Sequence, residues 1–556
     1  MSIKPVQQAI NLSEFSQLPT IAQLDILRSL DARQKTDLLL DAENGAELMA
    51  ELSTQEVYLL AMERGPEHLP ELLSLATPEQ WSGFIDLDCW AGDHFETGKS
   101  HRWLVTLLQA EEETVFTTLR EMNFEQLILI FKAELDILSG PEADENSDAR
   151  IDAIKRDGGY EIVYRNDDTA KLFNKILDVL QSYEPAFFVY LLEAVRAETF
   201  GLIEESVYQQ RTGRLQDMGI PEPFMAQKIY AWLDPQTYLQ ERPAKITPGV
   251  CESSAPGFTL TLVRPKGLLA EVLAEGVDEN LAWELANVVN KVLVADRVEM
   301  GQVEQVAKVI GKVDAYLNLA LEWLAGQDVA AARKCLDECY CEDLFRLGFS
   351  LTLALQRRAN LLGKTRVAPY LDAMARACLN ALKQKPPHFF EGIADPVRGG
   401  TRLFATLAEI CSAEQWLTRI ALQQRLFEEA LDFSLPEPAH LDLSGCQPER
   451  ADEVTLVEFF LTALANKLLG RDFLPLPIAE EELAGLHGMV SRSGELHPRL
   501  REETVKWLES LLPGGGEFAG YCLDIWEEEF CAVGFEDIDP RFVGGLIVRL
   551  EDVRSL

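Results

Sequence analysis

One short motif recurs four times between residues 18 and 135, and it constrains the fold of this chain more than any other feature. In each copy an apolar pair three residues apart precedes a helix-capping residue, and Gln or Glu follows the cap three positions later. This is the capping box: the cap accepts a hydrogen bond from the first helical turn, and the Gln or Glu reaches back to the cap's own N–H. The four copies are Asp31-Ala-Arg-Gln34, Ser53-Thr-Gln-Glu56, Thr77-Pro-Glu-Gln80 and Asn123-Phe-Glu-Gln126.

The copies are nearly regular, because the four caps stand 22, 24 and 46 residues apart. A period of 22–24 residues fits two short helices and two turns. Helices this short cannot bury an apolar face alone, so they stack on their neighbours. The pattern predicts a mainly α chain, in which an α-solenoid-like array of short helices is followed by further helical regions with at most one small β element.

The chain resembles two known families, on two different sets of residues. The repeated order of apolar pair, cap and Gln or Glu over residues 18–135 resembles the cytosolic helical N domain of MgtE-type magnesium transporters, a superhelix of short helices. That resemblance implies a role in sensing divalent cations such as Mg²⁺. The whole chain also resembles an uncharacterised bacterial family known only as a domain of unknown function, which implies no activity. The second resemblance is carried by Tyr208-Gln-Gln-Arg-Thr-Gly-Arg-Leu215, Gly219-Ile-Pro221, Ala226 and Tyr230.

Changes in composition predict the domain limits, because Pro, Gly and acidic runs mark loops between periodic segments. Two short strands are predicted, at Tyr160–Arg165 and Phe258–Val263, from their alternation of bulky and polar residues. The predicted segments are a short-helix repeat domain (1–138), an acidic linker (139–157), a helical region with a short strand (158–240), a linker (241–257), a helical region (258–432), a Pro-rich loop (433–452) and a C-terminal helical region (453–556).

The charge balance restricts the partners of this chain. Its 51 Lys and Arg residues face 91 Asp and Glu residues, which gives a formal net charge of −40. Nucleic-acid binding depends on cations that neutralise phosphates, so neither nucleic acid nor an anionic membrane is an expected partner. The acidity favours solubility, and it leaves a basic protein or a divalent cation such as Mg²⁺ as a candidate ligand.

The chain is expected to be cytoplasmic. Residues 1–15 contain no basic segment followed by an apolar run, so they do not predict a signal peptide. No window approaches the ~18 apolar residues of a membrane-spanning helix. The ten cysteines are irregularly spaced and do not predict a disulfide framework, so reduced thiols are expected.

A stripe of polar residues on one predicted helix is the best candidate for a ligand site. At helical spacing, Glu204, Tyr208 and Arg211 share one face, and Arg196 lies on roughly the same side. Mixed charges on one face usually form a solvated ladder of weak ion pairs. The alternative is a polar groove between helical layers in which carboxylates and guanidinium groups bind a ligand or metal. The candidate residues are Arg196, Glu204, Glu205, Tyr208, Arg211 and Arg214.

Three other groups of residues are weaker candidates for a site. Thiolates four apart on a helix can share a metal, but the thiols here lack a fourth ligand, so buried apolar thiols are the better interpretation. The histidines form no metal-binding motif, and a Gly-rich turn before a helix predicted near Arg402 is better explained as a plain loop. These groups are Cys335, Cys339 and Cys341; His94 with His101 and His487 with His497; and Arg398-Gly-Gly-Thr401.

Three functions fit this sequence. The favoured one is a cytosolic interaction or scaffold module, because stacked short helices make extended surfaces for a protein partner. The first alternative is a divalent-cation (Mg²⁺) sensing or regulatory protein, implied by the acidity and the MgtE resemblance. The second alternative is an enzyme with a polar site near residues 193–217, although no catalytic motif or bound cofactor is predicted.

Overall fold

The computed structural model describes residues 12–139, 153–156, 160–246, 256–534 and 538–550. Its internal contacts divide the chain into two units, Met1–Gly348 and Phe349–Leu556. The division falls within the helix Cys341–Leu362, inside the region 258–432 that the sequence predicts as one helical segment. Most of the predicted acidic linker and part of the second linker lie outside the described residues.

The first unit is built mainly of short and medium-length helices. They are α1 (Leu12–Phe15), α2 (Thr20–Ser29), α3 (Ala32–Asp41), α4 (Gly45–Glu51), α5 (Thr54–Arg64), α6 (Pro70–Leu73), α7 (Pro78–Asp88), α8 (Thr97–Leu107), α9 (Glu112–Glu121), α10 (Phe124–Glu134), α11 (Asp167–Tyr183), α12 (Pro185–Ala197), α13 (Phe200–Asp217), α14 (Pro223–Ala226), α15 (Pro235–Glu241), α16 (Phe258–Thr261), α17 (Gly267–Ala274), α18 (Glu279–Asp296), α19 (Val303–Ala325), α20 (Val329–Glu338) and α21 (Cys341–Leu362), the last of which continues into the second unit.

The second unit is also mainly helical. Its helices are α22 (Ala373–Lys383), α23 (Leu407–Arg425), α24 (Leu456–Leu468), α25 (Leu483–Val490), α26 (Pro498–Leu511) and α27 (Gly515–Trp526). Two π-helical turns, Leu426–Ala430 and Glu527–Cys531, extend α23 and α27. The prediction of a mainly α chain is therefore confirmed.

The four capping residues start helices where the sequence predicts. Ser53 and Thr77 form complete capping boxes at α5 and α7, and the Asp31 and Asn123 side chains accept from the backbone N–H three residues on. The glutamine of the third box also reaches beyond its own helix, since Gln80 Nε2 donates to two carbonyl oxygens at the end of α4, at 2.8 and 2.9 Å. The motif thus caps one helix start and satisfies the preceding helix end.

The strands are short and form five small sheets among the described residues, which is more β structure than the sequence predicts. They are β1 (Trp90–Ala91), β2 (His94–Phe95), β3 (Leu135–Ser139), β4 (Ala153–Arg156), β5 (Tyr160–Tyr164), β6 (His388–Phe390), β7 (Thr401–Leu403), β8 (Cys446–Gln447), β9 (Ile478–Ala479), β10 (Ser491–Arg492), β11 (Glu495–Leu496) and β12 (Val548–Arg549). The sheets are β1-β2, β3-β5-β4, β6-β7, β8-β12-β9 and β10-β11.

One predicted strand is confirmed and one is wrong. The segment Tyr160–Arg165 contains β5, the central strand of an antiparallel sheet. The segment Phe258–Val263 instead begins with the helical turn α16, whose first two residues are both buried. It packs on the helices α2, α5 and α18, so tertiary packing overrides the β-forming side chains.

In each unit, one helix is followed by a hairpin of two strands with two residues each, and then by a second helix. In the first unit α7 leads through β1 and β2 into α8, and Glu96 N–H donates to the carbonyl of Cys89 at 2.9 Å. In the second unit α25 leads through β10 and β11 into α26, and His497 N–H donates to the carbonyl of Val490 at 2.8 Å. In each case the N–H of the second strand's last residue donates to a Glu of a later helix, Glu204 or Glu527.

Asp314, in α19, gives the first unit a testable pH dependence. Its Oδ2 atom is buried without a hydrogen-bond partner among the described residues, and burial raises the pKa of this carboxyl to about 7. As the pH rises above about 4, the ordinary pKa of an aspartate carboxyl, the unfolded state loses this proton while the folded state keeps it. Stability contributed by the protonated form is then lost between about pH 4 and pH 7.

We predict that Asp314→Asn, which cannot ionise, removes this loss. The free energy of unfolding of the variant, relative to the unsubstituted chain, should rise by up to ~1.4 kcal/mol per pH unit across that window. Urea denaturation at several pH values measures it. A difference between the two proteins that does not change with pH would contradict the prediction.

Candidate functional site

The structure separates the predicted site residues into surface and interior groups. Arg196 lies on the surface and pairs with Glu193 of the same helix, with 2.9 Å between Arg196 Nη2 and Glu193 Oε2. Glu205 is exposed and accepts from Gln209 Nε2 at 2.7 Å. These exposed local pairs fit the interpretation of the polar residues as a solvated ladder of weak pairs. Neither Arg196 nor Glu205 belongs to the interior group.

Glu204 holds the β1-β2 hairpin against α13. Its Oε1 atom accepts from the backbone N–H of Phe95 at 2.9 Å and lies 3.9 Å from His94 Nδ1. The Glu204 side chain is only 16% exposed, whereas that of the neighbouring His94 is 79% exposed. The carboxylate therefore works as a fixed acceptor for the hairpin backbone, and His94 stays at the surface.

Tyr208 and Arg211 continue the same stripe of α13 along the hairpin. The Tyr208 ring lies 5.8 Å from the ring of Trp90, centroid to centroid. The Arg211 guanidinium lies 5.4 Å from the centroid of the Trp90 ring, within the range of a cation–π contact. Arg211 Nε donates to the backbone carbonyl of Asp86 at 2.7 Å. The helical spacing of the three predicted residues thus places them along one packed surface.

Arg214 completes the stripe by binding a fully buried carboxylate. Its Nε and Nη2 atoms donate to the two oxygens of Asp86 at 2.6 and 3.0 Å, a bidentate pair. Asp86 is 0% exposed, and Gln126 Nε2 also donates to it at 2.9 Å. Burial raises the pKa of Asp86, while the Arg214 guanidinium acts in the opposite direction.

Asp88 lies two residues after Asp86 in α7, and it accepts hydrogen bonds from a second set of donors. Arg102 Nη2 and Trp103 Nε1 donate to its Oδ2 atom at 2.8 and 2.9 Å, and the Tyr58 hydroxyl donates to Oδ1 at 3.3 Å. Burial, with the Asp88 charge beside it, raises the pKa of Tyr58 far above its usual value, so the hydroxyl keeps its proton. Lys99 Nζ lies 3.9 Å from Asp88 Oδ1.

A cavity of about 170 Å³ lies beside these groups. Its polar lining comes from Tyr58, Asp88, Trp90, Lys99 and Arg211, and also from Asn290 and Glu299. The remaining wall is apolar and is formed by Leu87, Leu215, Ile220, Leu293, Val294, Val298 and Met300. Of the predicted site residues, Arg211 is the one that lines this cavity.

Asp86, Asp88 and Arg102 are not among the site residues predicted from the sequence, although the sequence contains a signal for the two acidic residues. Asp86 and Asp88 stand within the apolar run Phe84-Ile-Asp-Leu-Asp-Cys-Trp90, and acidic residues in such a run are rarely buried unless they are paired. That context could have predicted two buried ion pairs. It could not have named Arg214 or Arg102 as the partners, because spatial pairing across a fold is not visible in one sequence.

The cysteine and histidine groups show no metal arrangement. Cys335, Cys339 and Cys341 are buried free thiols. His101 Nε2 lies 3.1 Å from Glu134 Oε1, and His497 caps α26 by accepting from the N–H of Arg499. Within the part of the chain that the structure describes, no group of three or more His, Cys, Asp or Glu side chains is placed to hold a metal ion.

The Gly-rich turn of the second unit ends in a strand rather than in the predicted helix. Thr401–Leu403 pairs with His388–Phe390 as β7, and the helix α23 begins only at Leu407. Arg398 lies 3.4 Å from Asp395 Oδ2 within this turn. Main-chain pairing with β6 therefore determines the conformation at Arg402, where the sequence predicted a helix start.

Comparison with known proteins places the whole chain in one family. Residues 12–549 match a family of unknown function, DUF6178. The chain belongs to the DUF6178 family. This match confirms the resemblance to a domain of unknown function, and it does not address the resemblance to MgtE-type N domains. Neither a curated protein nor a solved structure matches this DUF6178 chain. Among its described helices, none combines the length and apolar character needed to cross a membrane.

We predict that Glu204→Ala destabilises the DUF6178 chain and that Glu205→Ala, its neighbour in sequence, does not. The first substitution leaves the Phe95 N–H without its acceptor, which costs about 1–3 kcal/mol. The second removes an exposed contact and should change the free energy of unfolding by less than ~0.5 kcal/mol. Urea denaturation, together with hydrogen exchange at Phe95, measures both effects. Equal losses in the two variants would show that the hairpin does not depend on this carboxylate.

Proposed function

We propose that the DUF6178 chain is a helical interaction or scaffold module that binds a basic protein segment. The observation that carries the proposal is an aromatic ladder on the first unit, formed by Phe116, Arg120 and Phe124 opposite Tyr183, Phe187 and Tyr190. The repeated short helices of residues 18–135, interpreted as a solenoid-like array, support the same function because such arrays present extended surfaces.

The ladder consists of three side-by-side contacts. The rings of Phe116 and Tyr183 stack at 5.1 Å and those of Phe124 and Tyr190 at 4.9 Å, with interplanar angles of 17° and 12°. Between them the Arg120 guanidinium lies 4.7 Å over the Phe187 ring. Because each of these side chains already packs against another, it has less conformational entropy to lose on binding than a free side chain would.

The two tyrosines of the ladder are open to solvent, whereas Phe187 is 6% exposed, and the ladder contains residue types that are common at interface centres. Tyr183 is 44% exposed and Tyr190 is 61% exposed. Tyr and Arg are enriched among the residues that carry most of the binding energy in protein interfaces. The helices that carry the ladder, with the residue that joins α11 to α12, also hold acidic residues, among them Glu112, Glu113, Glu121, Glu125, Glu184 and Glu193. This charge favours a partner that carries Lys or Arg, whose cations would also interact with the ring faces.

We predict that a peptide library selected on the purified chain yields peptides rich in Lys and Arg, and that Tyr183→Ala/Tyr190→Ala weakens their binding at least about tenfold, as expected for interface anchors. Fluorescence anisotropy measures the affinities, and increasing salt should weaken them further.

Phe224→Ala is the matched control, because Phe224 is a 75% exposed aromatic residue of the same unit outside the ladder. Binding equally weakened by this control, unaffected by the ladder variant, or dominated by acidic peptides would contradict the proposal. The thermal midpoint of each variant shows whether it remains folded.

A divalent-cation sensing or regulatory role is the second candidate, favoured by the net charge of −40 and by the resemblance of residues 18–135 to MgtE-type N domains. It predicts that millimolar magnesium raises the melting temperature above that in sodium chloride of matched ionic strength. No difference between the two salts would disfavour it. An enzyme with a site near residues 193–217 has less support, since Asp86 and Asp88, two buried carboxylates of the neighbouring α7, are already bound by arginines.

A further inference from the structure

Lys35 is a buried lysine without a partner. It lies on α3, directly after the first of the four capping boxes, and it is only 8% exposed. Within the described chain its amine makes no hydrogen bond and no ion pair. Lysine is almost never buried unless it is paired, so ion pairing does not account for this side chain.

The buried carboxylate near Lys35 interacts with other groups. Glu56 Oε2 accepts from the backbone N–H of Ser53 at 3.2 Å as part of the second capping box. The Oε1 atom of Glu56 lies 3.7 Å from Arg28 Nε. The helix cap and Arg28 thus engage both oxygens of this acid, and Lys35 keeps an unpaired amine beside it.

The amine of Lys35 is itself removed from water, and not only its aliphatic stem. A lysine that lays its stem on apolar surface usually keeps its ammonium group in solvent. Burial instead lowers the pKa of Lys35, although the carboxylates of Glu56 and Glu63 act in the opposite direction. A lowered pKa leaves more of the amine unprotonated, and the unprotonated amine is the nucleophilic form.

Lys35 lines a second cavity of the first unit, with a volume of about 160 Å³. Although its Nζ atom is unpaired, it is not among the fully buried polar atoms, so it keeps accessible surface. A cavity of this volume is close in size to one that binds benzene, so it accommodates a molecule of roughly six heavy atoms. The apolar part of its lining is formed by Leu30, Ala32, Leu59, Leu60, Phe258 and Leu262.

We propose that Lys35 is a nucleophilic amine that takes a small neutral aldehyde or ketone from this cavity as an imine. A desolvated lysine in an apolar pocket is the side chain that forms such Schiff bases. Asp31, Glu56 and Glu63 also line the cavity, and their charge disfavours an anionic carbonyl compound. This inference does not depend on the aromatic ladder or on a protein partner.

The reaction needs no further co-reactant. The nitrogen lone pair of Lys35 adds to the carbonyl carbon, so that a C–N bond forms as the C–O π bond opens, and a proton passes from nitrogen to oxygen. The resulting carbinolamine then loses its hydroxyl group and the remaining N–H proton as water while the C=N bond forms. One water molecule therefore leaves for each imine.

The test is reductive trapping in the full chain with butanal, a neutral aldehyde, and sodium cyanoborohydride at neutral pH. The reagent delivers hydride to the imine carbon and leaves a stable secondary amine, which peptide mass spectrometry assigns to individual lysines. Lys35 should be labelled faster than Lys171, whose side chain is 76% exposed. This preference should be lost in urea, because unfolding returns Lys35 to water.

Two further measurements distinguish a binding site from an amine that is only reactive. The labelling rate of Lys35 should level off as butanal is increased, because the aldehyde first occupies the cavity, whereas the rate at Lys171 should rise in proportion. Glyoxylate, an anionic aldehyde, should favour Lys35 over Lys171 less than butanal does.

Matched variants identify the labelled amine. Lys35→Met keeps an apolar stem and removes the amine, so the rapidly labelled fraction should be lost. Lys171→Met is the control and should keep that fraction. The rates at individual lysines come from the unsubstituted chain, so they decide the question even if Lys35→Met fails to fold.

Four results would overturn the proposal. They are protection of Lys35 from butanal relative to Lys171, a preference that persists in urea, a Lys35 rate that rises linearly with butanal, and a stronger preference for Lys35 with glyoxylate than with butanal. Saturable labelling of Lys35 in the folded chain, absent from Lys35→Met, would establish the site.

Discussion

The burial of the Asp86 carboxylate is the constraint on which the arrangement of the first unit's polar core depends. A fully buried carboxylate is stable only when it is paired and hydrogen-bonded. Arg214 and Gln126 meet that need, and they come from α13 and α10, while Asp86 itself lies on α7. Three helices that are distant in sequence are therefore fixed around one charge. The position of α13 then determines where Glu204, Tyr208 and Arg211 meet the hairpin.

The β1-β2 hairpin packs against α13, and its residue Trp90 lines the cavity. Its backbone is held by Glu204, and its Trp90 side chain lies between Tyr208 and Arg211. Arg214 binds the Asp86 carboxylate, and among the described residues Arg211 donates to the backbone carbonyl of Asp86. Arg211 thus lines the cavity beside Trp90, with its guanidinium over that ring. The second unit repeats the hairpin and its glutamate, since the backbone N–H of Leu496 donates to Glu527.

Local features of the fold were predictable from the sequence, because capping is decided within four residues. The helix starts after Asp31, Ser53, Thr77 and Asn123 follow from the side chains alone. The helical spacing of α13 also predicts that Glu204, Tyr208 and Arg211 share a face. The strand predicted at Phe258 failed for the opposite reason, since its conformation is set by the helices that pack on it.

The sequence alone does not predict which distant residues pair in the fold. Asp86 and Arg214 are separated by 128 positions, and nothing in either segment names the other. The two-residue strands of the hairpin are too short to give a periodic signal. The sequence therefore indicates which residues of α13 form a stripe, but only the folded chain shows that Arg211 lines a cavity while Arg196 and Glu205 remain outside it.

The most direct test of this account is a double-mutant cycle on Asp86 and Arg214, with the free energy of unfolding measured for Asp86→Asn, Arg214→Gln and the combination. The account predicts that each single substitution costs about 3–5 kcal/mol, because each leaves a buried charge or its partner unpaired. The double variant should lose clearly less than the sum of the two. Losses that add to within ~0.5 kcal/mol would contradict it, because they would show that the two side chains act independently.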